Sequence, residues 1–323
     1  MKKILVTGST GFVGSHLVEF LLKKKNYKIY CTKRYHLSRL DNVKVFYNKV
    51  TWVDCDITDP VATLKIIKNI RPDKIFHFAA ESFVSPSWDH PTRYMSVNYN
   101  GTLNILEAMR QIESKAKIIL PGSGEEYGEI HKRELPIKDK TILRPVNPYA
   151  VTKIAQDLIG YVYFKSYGIK VIRTRTFNHE GPRREKVFGI SSYAYQIACI
   201  EKKLQKPIIK VGHIDDRRNF THVLDIIEAY WLASEKCKPG ELYLIGNESK
   251  NSIFTFRQAL EKLIQMSSVR KITYKYHKPF IRPTNVPFLI ADTKKFSKIS
   301  RWKIKHSFND ILKDTLNFWR SKV

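Results

Sequence analysis

The stretch Thr7-Gly8-Ser9-Thr10-Gly11-Phe12-Val13-Gly14 decides the fold class. It follows an apolar run at residues 4–6, which predicts a buried strand, and it opens an amphipathic stretch, which predicts a helix near 12–25. Glycines allow a tight turn and a close approach of the backbone, while a helix start offers free N–H groups to a pyrophosphate. The alternative is a tight turn without a ligand. The predicted dinucleotide contacts are Gly8, Thr10, Gly11, Phe12, Val13 and Gly14.

Residues 3–176 alternate short β-branched runs with helix-length amphipathic stretches. This alternation indicates repeated βαβ units and a parallel sheet, so we predict an α/β fold of the Rossmann-like, doubly wound type. The predicted strands are 4–7, 28–32, 52–54, 74–78, 117–120 and 171–176. The predicted helices lie near 12–25, 60–70, 98–113 and 148–167.

After residue 176 the alternation becomes irregular, which indicates a smaller mixed α/β lobe that binds the substrate. A helix at 221–235 and a strand at 242–245 could return to the main sheet. We therefore predict a dinucleotide-binding domain at 1–176 plus about 221–246, and a substrate lobe at 177–220 and 247–323. A cleft between the two would hold the ligands.

The composition narrows the function classes. The 323 residues carry a net charge of +27, which favours anionic ligands, but no nucleic-acid-binding motif accompanies the charge, so a nucleic-acid-binding protein is only a remote alternative. No apolar run approaches the ~20 residues of a membrane span. The cysteines show no metal-binding or disulfide spacing, so we expect no metal and a cytoplasmic location. They are Cys31, Cys55, Cys199 and Cys237.

The end of the second predicted strand reads Thr32-Lys33-Arg34. An acid at this position would bind the ribose 2′-hydroxyl of NAD, and none is present. Two cations can instead pair with a 2′-phosphate, so we predict NADP, with NAD less favoured and Arg34 as the main contact. A basic surface loop is the alternative.

Tyr149 and Lys153 share one face at the start of a predicted helix. A phenol with a pKa of about 10 is a poor base at neutral pH, but an adjacent ammonium can lower that pKa. Ser123 follows the fifth strand, at the carboxyl edge of the sheet where such folds bind ligands. These three side chains form a candidate catalytic set, and a surface pair is the alternative for Tyr149 and Lys153.

Four segments give a specific resemblance. GSGEEYG (122–128), NPYAVTKIAQD (147–157), RTRTFNHEGPRR (173–184) and RPTNVPFLIADTKK (282–295) resemble GDP-mannose 4,6-dehydratases and the related GDP-4-keto-6-deoxymannose reductases. These are extended short-chain dehydrogenases/reductases, whose glycine spacing the loop at 8–14 also resembles. The resemblance covers essentially the whole chain, and it implies that Ser123 and Glu125 flank the sugar.

The resemblance implies an internal redox cycle for a GDP-hexose. Hydride would leave C4 of the sugar, Glu125 would remove the C5 proton as hydroxide leaves C6, and hydride would return to C6. Gly124 stands where related dTDP-glucose enzymes have an Asp acid, so Glu125 would serve as both base and acid. The sugar would be of the GDP-mannose, GDP-N-acetylglucosamine or GDP-heptose type. The alternative function is a GDP-4-keto-6-deoxyhexose reductase that consumes NADPH.

The remaining expected contacts combine this resemblance with the cations of the second lobe. Asn219 and Asn285 replace a family Asp and Glu, which puts sugar or ribose contacts in doubt. A homodimer or homotetramer is implied by likeness alone. The further cofactor contacts are Asp56, Ile57, Ala79, Ala80 and Ser82. The substrate contacts are Ser85, Asn178, Arg183, Arg184, Arg218 and Arg282.

Overall fold

A computed structural model describes residues 1–249 and 252–323 of the chain. Its strands in chain order are β1 (Lys2–Thr7), β2 (Tyr27–Lys33), β3 (Thr51–Asp54), β4 (Lys74–His77), β5 (Lys117–Ser123), β6 (Lys170–Thr176), β7 (His179–Glu180), β8 (Ile208–Val211), β9 (Arg217–Asn219), β10 (Thr221–His222), β11 (Leu242–Ile245), β12 (Ile253–Thr255), β13 (Thr273–Tyr276) and β14 (Phe288–Leu289). Its helices are α1 (Phe12–Leu22), α2 (Pro60–Ile70), α3 (Pro91–Tyr94), α4 (Gly101–Gln111), α5 (Pro148–Tyr167), α6 (Gly189–Glu201), α7 (Val223–Lys236), α8 (Phe256–Gln265), α9 (Lys294–Ser300) and α10 (Phe308–Arg320).

Seven strands form one parallel sheet in the order β11-β6-β5-β4-β1-β2-β3. The order reverses beside β1, as in a doubly wound fold, and ligands of such sheets bind at the carboxyl ends of the strands. The six strands predicted from the sequence are present. The return of the chain through β11, which pairs with β6, is also confirmed.

Apolar residues cover both faces of the sheet, so the strands are buried as a parallel sheet requires. One core contains side chains of α1 and α7, and the other contains side chains of α2, α4 and α5. The predicted helix at 98–113 differs in detail, because helical backbone already begins at Pro91 and passes through a π-helical turn at Met95–Asn100 before α4. The Rossmann-like prediction is confirmed.

A second lobe has its own apolar core between α6, α8 and α10. Short sheets formed by β8 with β13, and by β12, β9 and β14, lie in the same lobe. The division into 1–176 plus 221–246 and 177–220 plus 247–323 stays a prediction, and residues 250 and 251 of the latter range lie outside the described residues. Among the helices at 1–249 and 252–323, none is long and apolar enough for a membrane span.

Candidate active site

A cavity of about 1310 Å³ lies above the carboxyl ends of the central strands and extends into the second lobe. Pockets for one small ligand usually measure about 300–1,000 Å³, so this cavity has room for more than one. Both lobes contribute to its wall, because α6 and β8 of the second lobe face the glycine loop and the end of β5.

The glycine loop lines one end of this cavity. Gly8 has a φ of +65°, and a side chain at Gly14 would place its Cβ 2.2 Å from the Gly8 carbonyl oxygen, so both positions require glycine. Helix α1 begins after Gly11 with no side-chain cap and no acid in its first turn. Its first N–H groups therefore remain available to an anion, and the loop fits a dinucleotide pyrophosphate.

Two cations, the last residue of β2 and the residue after it, line the same end of the cavity. The ammonium of Lys33 donates a hydrogen bond to Asp54 over 2.7 Å, which neutralises much of its charge. Within the described residues, the guanidinium of Arg34 has no ion pair or hydrogen bond. Of these two cations, Arg34 is the one with no ion-pair partner in the described residues, and its contact with a phosphate stays a prediction.

The further predicted cofactor contacts line the same cavity as the glycine loop. Asp56 accepts hydrogen bonds from the backbone and hydroxyl of Thr58, over 3.0 and 2.8 Å. Asp59, and not Asp56, caps α2 by accepting from Val61 and Ala62, which leaves Asp56 at the cavity wall. The cavity is also lined by Ile57, Ala79, Ala80 and Ser82.

The candidate catalytic side chains meet where β5 ends and α5 begins. Ser123, Glu125, Tyr149 and Lys153 all line the cavity. Ser123 lies within hydrogen-bonding reach of the Tyr149 hydroxyl, and its own hydroxyl accepts from the backbone N–H of Glu125 over 3.2 Å. Lys153 donates to the Gln156 side chain over 2.5 Å. The structure thus brings the four predicted residues together, while their roles stay predictions.

Burial changes the proton affinities of this set. Burial raises the pKa of Tyr149 above its ordinary value, although the hydrogen bond with Ser123 acts in the opposite direction. Burial also lowers the pKa of Lys153 to about 8. The lowering of the phenol pKa by Lys153 stays a prediction, because burial dominates the pKa of Tyr149 and the Lys153 ammonium donates to Gln156.

A network of buried charged side chains packs against the carboxyl end of β5. Glu126 is fully buried, accepts from the backbone N–H of Ser123 over 2.6 Å and pairs with Arg175. Arg175 also donates to Asp157 of α5 over 2.8 Å. Buried charges need such partners, and here they tie β6, α5 and the Ser123 turn together. The sequence analysis did not identify this network.

Asn147 is a second residue that the sequence analysis missed. It caps α5 by accepting from the backbone N–H of Ala150, and its amide donates to a carboxylate oxygen of Glu125 over 3.1 Å. An Asn directly before Pro148 is a recognisable cap signal. The contact with Glu125 is not recognisable in this way, since it joins residues that are 22 positions apart.

The predicted substrate contacts do not all reach the cavity. Arg183 points away from it: its guanidinium pairs with Glu19 over 2.7 Å and contacts Ser15 of α1. We therefore leave Arg183 out of the site proposed below. The cavity is lined by Ser85, Asn178, Arg184, Arg218 and Arg282.

The cations that do line the cavity differ in their partners. Arg184 lies 3.9 Å over the ring of Phe188 and near the buried carboxylate of Glu180, whose pKa burial raises to about 7. Arg218 is buried beside Asp216 at 3.6 Å. A buried guanidinium with one distant carboxylate partner retains donors for a phosphate.

The two asparagines that depart from the family pattern have different roles. Asn219 is fully buried, accepts from the backbone N–H of Ala291 and donates to Ser252, so it supports the lobe and does not line the cavity. Asn285 lines the cavity and donates to Asp216 over 2.5 Å. Only the replacement at 285 therefore alters the cavity wall directly.

Comparison with known proteins agrees with this geometry. The family model described as GDP-mannose 4,6 dehydratase matches residues 5–315. The chain is 32% identical to a GDP-mannose 4,6-dehydratase of Yersinia enterocolitica, over 76% of the chain and 67% of that protein. It is 26% identical to the GDP-6-deoxy-D-mannose reductase of Pseudomonas aeruginosa, over 100% and 98% of the two chains.

A solved structure shows the same architecture. RMD from Pseudomonas aeruginosa, complexed with NADPH, superimposes with a TM-score of 0.85 at 26% identity and covers 100% of both chains. The sequence resemblance is thereby confirmed along the whole chain. The protein belongs to the GDP-mannose 4,6 dehydratase family.

Proposed function

We propose that this protein is an NADP-dependent 4,6-dehydratase that converts a GDP-hexose into the GDP-4-keto-6-deoxy sugar. The observation that carries the proposal is the position of the Glu125 carboxylate, which faces the same cavity as the Ser123–Tyr149 pair. A dehydratase needs a carboxylate at that position, since it must remove a proton from carbon and protonate a leaving hydroxide. Membership of the family supports the GDP-sugar as substrate.

Each side chain has a defined task in this reaction. Tyr149, positioned by Ser123, acts as a phenolate that the Lys153 ammonium stabilises, and it becomes a neutral phenol when it accepts the proton of the C4 hydroxyl. Glu125 takes the proton from C5, which the neighbouring ketone has made acidic, and passes it to the hydroxide that leaves C6 as water. Arg218 and Arg282 would hold the diphosphate. A bound nicotinamide would supply the hydride acceptor and donor for this cycle and a positive charge beside the phenol. The proton that Tyr149 took from the C4 hydroxyl balances the one that C5 must regain when C6 is reduced.

The proposal is tested by incubating the purified protein with a panel of GDP-, UDP- and dTDP-sugars and measuring the product masses by mass spectrometry. We expect one GDP-sugar to lose the mass of one water, with no net change in the absorbance of reduced nicotinamide. A Glu125→Gln variant should still oxidise C4 but form no dehydrated product. Glu129→Gln, an exposed carboxylate beside the same turn, is the control and should keep full activity. Full dehydration by Glu125→Gln would contradict the proposed role.

The sugar itself is proposed by family only. GDP-mannose is the first candidate, and GDP-N-acetylglucosamine and GDP-heptose types follow. Asn285, which donates to Asp216 at the cavity wall, replaces a family Glu and so changes a polar group that the substrate would meet. This replacement favours including the GDP-N-acetylglucosamine and GDP-heptose types in the panel.

The choice of NADP rests on Arg34. Its guanidinium is unpaired within the described residues, whereas Lys33 is tied to Asp54. An Arg34→Ala variant should lose affinity for NADP while its affinity for NAD stays nearly constant, measured by titrating the cofactor against protein fluorescence. Equal affinities of the wild-type protein for both cofactors would contradict the preference.

A GDP-4-keto-6-deoxyhexose reductase is the second candidate. The likeness to the Pseudomonas aeruginosa reductase spans both chains almost completely, which supports this candidate. A reductase would consume NADPH in proportion to product, so the absorbance measured in the panel separates the two functions.

We also propose that the protein is a homodimer formed through α5. Val151, Leu158 and Val162 lie on one face of this helix and are 45%, 49% and 47% exposed. Apolar rows of this kind on a helix commonly mark an interface. Leu158→Glu should convert the dimer to a monomer in analytical ultracentrifugation, while Val61→Glu, at an exposed position of α2, should not.

A cytoplasmic location stays our proposal, and it is supported by four free, buried cysteines.

A further inference from the structure

One amide connects the two elements that carry the candidate catalytic groups. Asn147 stands directly before α5, and its side-chain oxygen accepts from the N–H of Ala150 over 2.8 Å. Its Nδ2 donates to Oε2 of Glu125 over 3.1 Å. The residue is 6% exposed, so water competes little for either hydrogen bond. The amide cannot turn without losing both bonds.

The backbone around this contact is fixed. The N–H of Arg144 donates to the Tyr127 carbonyl over 3.2 Å, and the N–H of Glu129 donates to the Arg144 carbonyl over 3.0 Å. Gly128 lies between them with a φ of +56°, and a Cβ there would come within 1.8 Å of the Arg144 oxygen. The strand-like pairing therefore holds the segment before Asn147 against the turn that carries Glu125.

The second lobe meets the same segment. The hydroxyl of Thr284 donates to the carbonyl of Val146 over 2.6 Å, one residue before Asn147. Thr284 lies two positions after Arg282, a candidate diphosphate contact. The position of Asn147 is thus held by the Glu125 turn, by α5 and by the substrate lobe.

We propose that Asn147 is a positioning residue that fixes the rotamer of Glu125 and directs its second oxygen to the substrate. The inference rests on the proposed function, since it concerns the proposed base. Oε2 is occupied by the amide, and within the described residues Oε1 receives no hydrogen bond. The proton from C5 therefore passes to Oε1. An Asn is suited to this task because its amide donates without carrying a charge that would compete for the proton.

Replacing Asn147 by Asp separates the positioning of Glu125 from the capping of α5. Asp and Asn are equally good caps, so Asn147→Asp keeps the bond to Ala150 and the start of α5. It exchanges the donor for a second carboxylate facing Glu125. The other charged or titratable groups near Glu125 are Arg218 of β9 and Tyr149 of α5, and neither changes. Repulsion between the carboxylates then makes the ionised form of Glu125 harder to reach.

The first readout is the pH dependence of dehydration at saturating substrate, measured between about pH 5.5 and 9. Asn147→Asp should move the acidic limb to higher pH by about one unit and lower kcat roughly 10-fold at pH values below that limb. Its KM for the GDP-sugar should stay the same. Asn147→Ser keeps a capping oxygen, but its hydroxyl is about one bond shorter than the amide and no longer reaches Glu125, so it should lower kcat and shift the acidic limb less than Asn147→Asp does. Asp59→Asn, which makes the reverse exchange at the cap of α2, is the control and should change neither.

The second readout does not require activity. Carbon-13 labelling of the glutamate carboxyl groups follows their titration by NMR, and the Glu125 signal is the one missing in Glu125→Gln. In Asn147→Asp its midpoint should move to higher pH. A midpoint and an acidic limb that both match the wild type would overturn the inference, even if the protein proves to be a dehydratase. If the midpoint of Glu125 is shifted but the wild-type protein dehydrates no GDP-sugar, the Asn147–Glu125 contact is supported and the proposed function is rejected.

Discussion

Glu201 is expected to stabilise the second lobe in a way that depends on pH. It accepts two hydrogen bonds from Arg320 of α10, each over 2.8 Å, and one each from the backbone of Ser268 and the hydroxyl of Ser267. These bonds, led by those of Arg320, lower the pKa of Glu201 to about 2. The carboxylate at the end of α6 thereby joins three helices around the core of this lobe.

The size of the effect follows from this geometry. The pKa shift alone would correspond to about 3 kcal/mol, but the pair is partly exposed, so we expect about 2 kcal/mol for Glu201→Gln at neutral pH. Unfolding entropy of about 2.1 cal/mol/K per residue gives roughly 0.7 kcal/mol/K for this chain, so the melting temperature should fall by about 3 °C. Because the folded pKa is depressed, the contribution is complete above the unfolded value of 4.5 and is lost as the pH falls towards about 2.

Urea unfolding of both proteins at several pH values measures this difference. The two stabilities should differ at neutral pH and approach each other between pH 4.5 and about 2. Glu261→Gln, an exposed carboxylate on α8, is the matched control and should match the wild type at every pH. A difference for Glu201→Gln that did not change with pH would refute the ion-pair explanation and indicate a packing effect.

Three further outcomes are expected. The wild-type rate should fall as the pH rises through about 8, because burial lowers the pKa of Lys153 and the ammonium is lost there; a pH–rate profile that stays flat to higher pH would contradict this. Gly128→Ala should be far less stable in thermal unfolding than Gly168→Ala, since both have positive φ but only the former meets a carbonyl oxygen at 1.8 Å. Arg218→Ala should raise KM for the GDP-sugar, whereas Arg183→Ala should leave KM unchanged, and equal effects would show that the two arginines are not distinguished by their positions.

The strands, the glycine loop and the main helices could be predicted because their signals are local. Short β-branched runs place the strands to within one to three residues, and α2 and α5 begin at the positions where Pro60 and Pro148 follow a capping residue. The gathering of site residues at one edge also follows from topology. In a parallel sheet the carboxyl ends of all strands meet, so residues after β1, β4 and β5 must line a common cavity.

The contacts that the sequence could not reveal depend on side-chain direction between distant segments. Arg183 and Arg184 are adjacent cations, yet a φ of +70° at Arg183 turns one towards α1 and leaves the other at the cavity. Lys153 lies one turn from Tyr149, as predicted, but its ammonium meets Gln156. No periodicity contains this information, because it is set by which partner each polar group finds once the core has formed.

The large positive charge, which in the sequence suggests nucleic acid, has a local explanation under the proposed function. Lys210 of β8 and Lys275 of β13 pair in register on neighbouring strands, and both line the cavity. Like charges directly opposite on adjacent strands are unfavourable by themselves. A nucleoside diphosphate between the lobes would offset that repulsion, and Arg218 and Arg282 add further cations to the same wall. Since these cations line the cavity between the lobes, their arrangement fits a small anionic ligand.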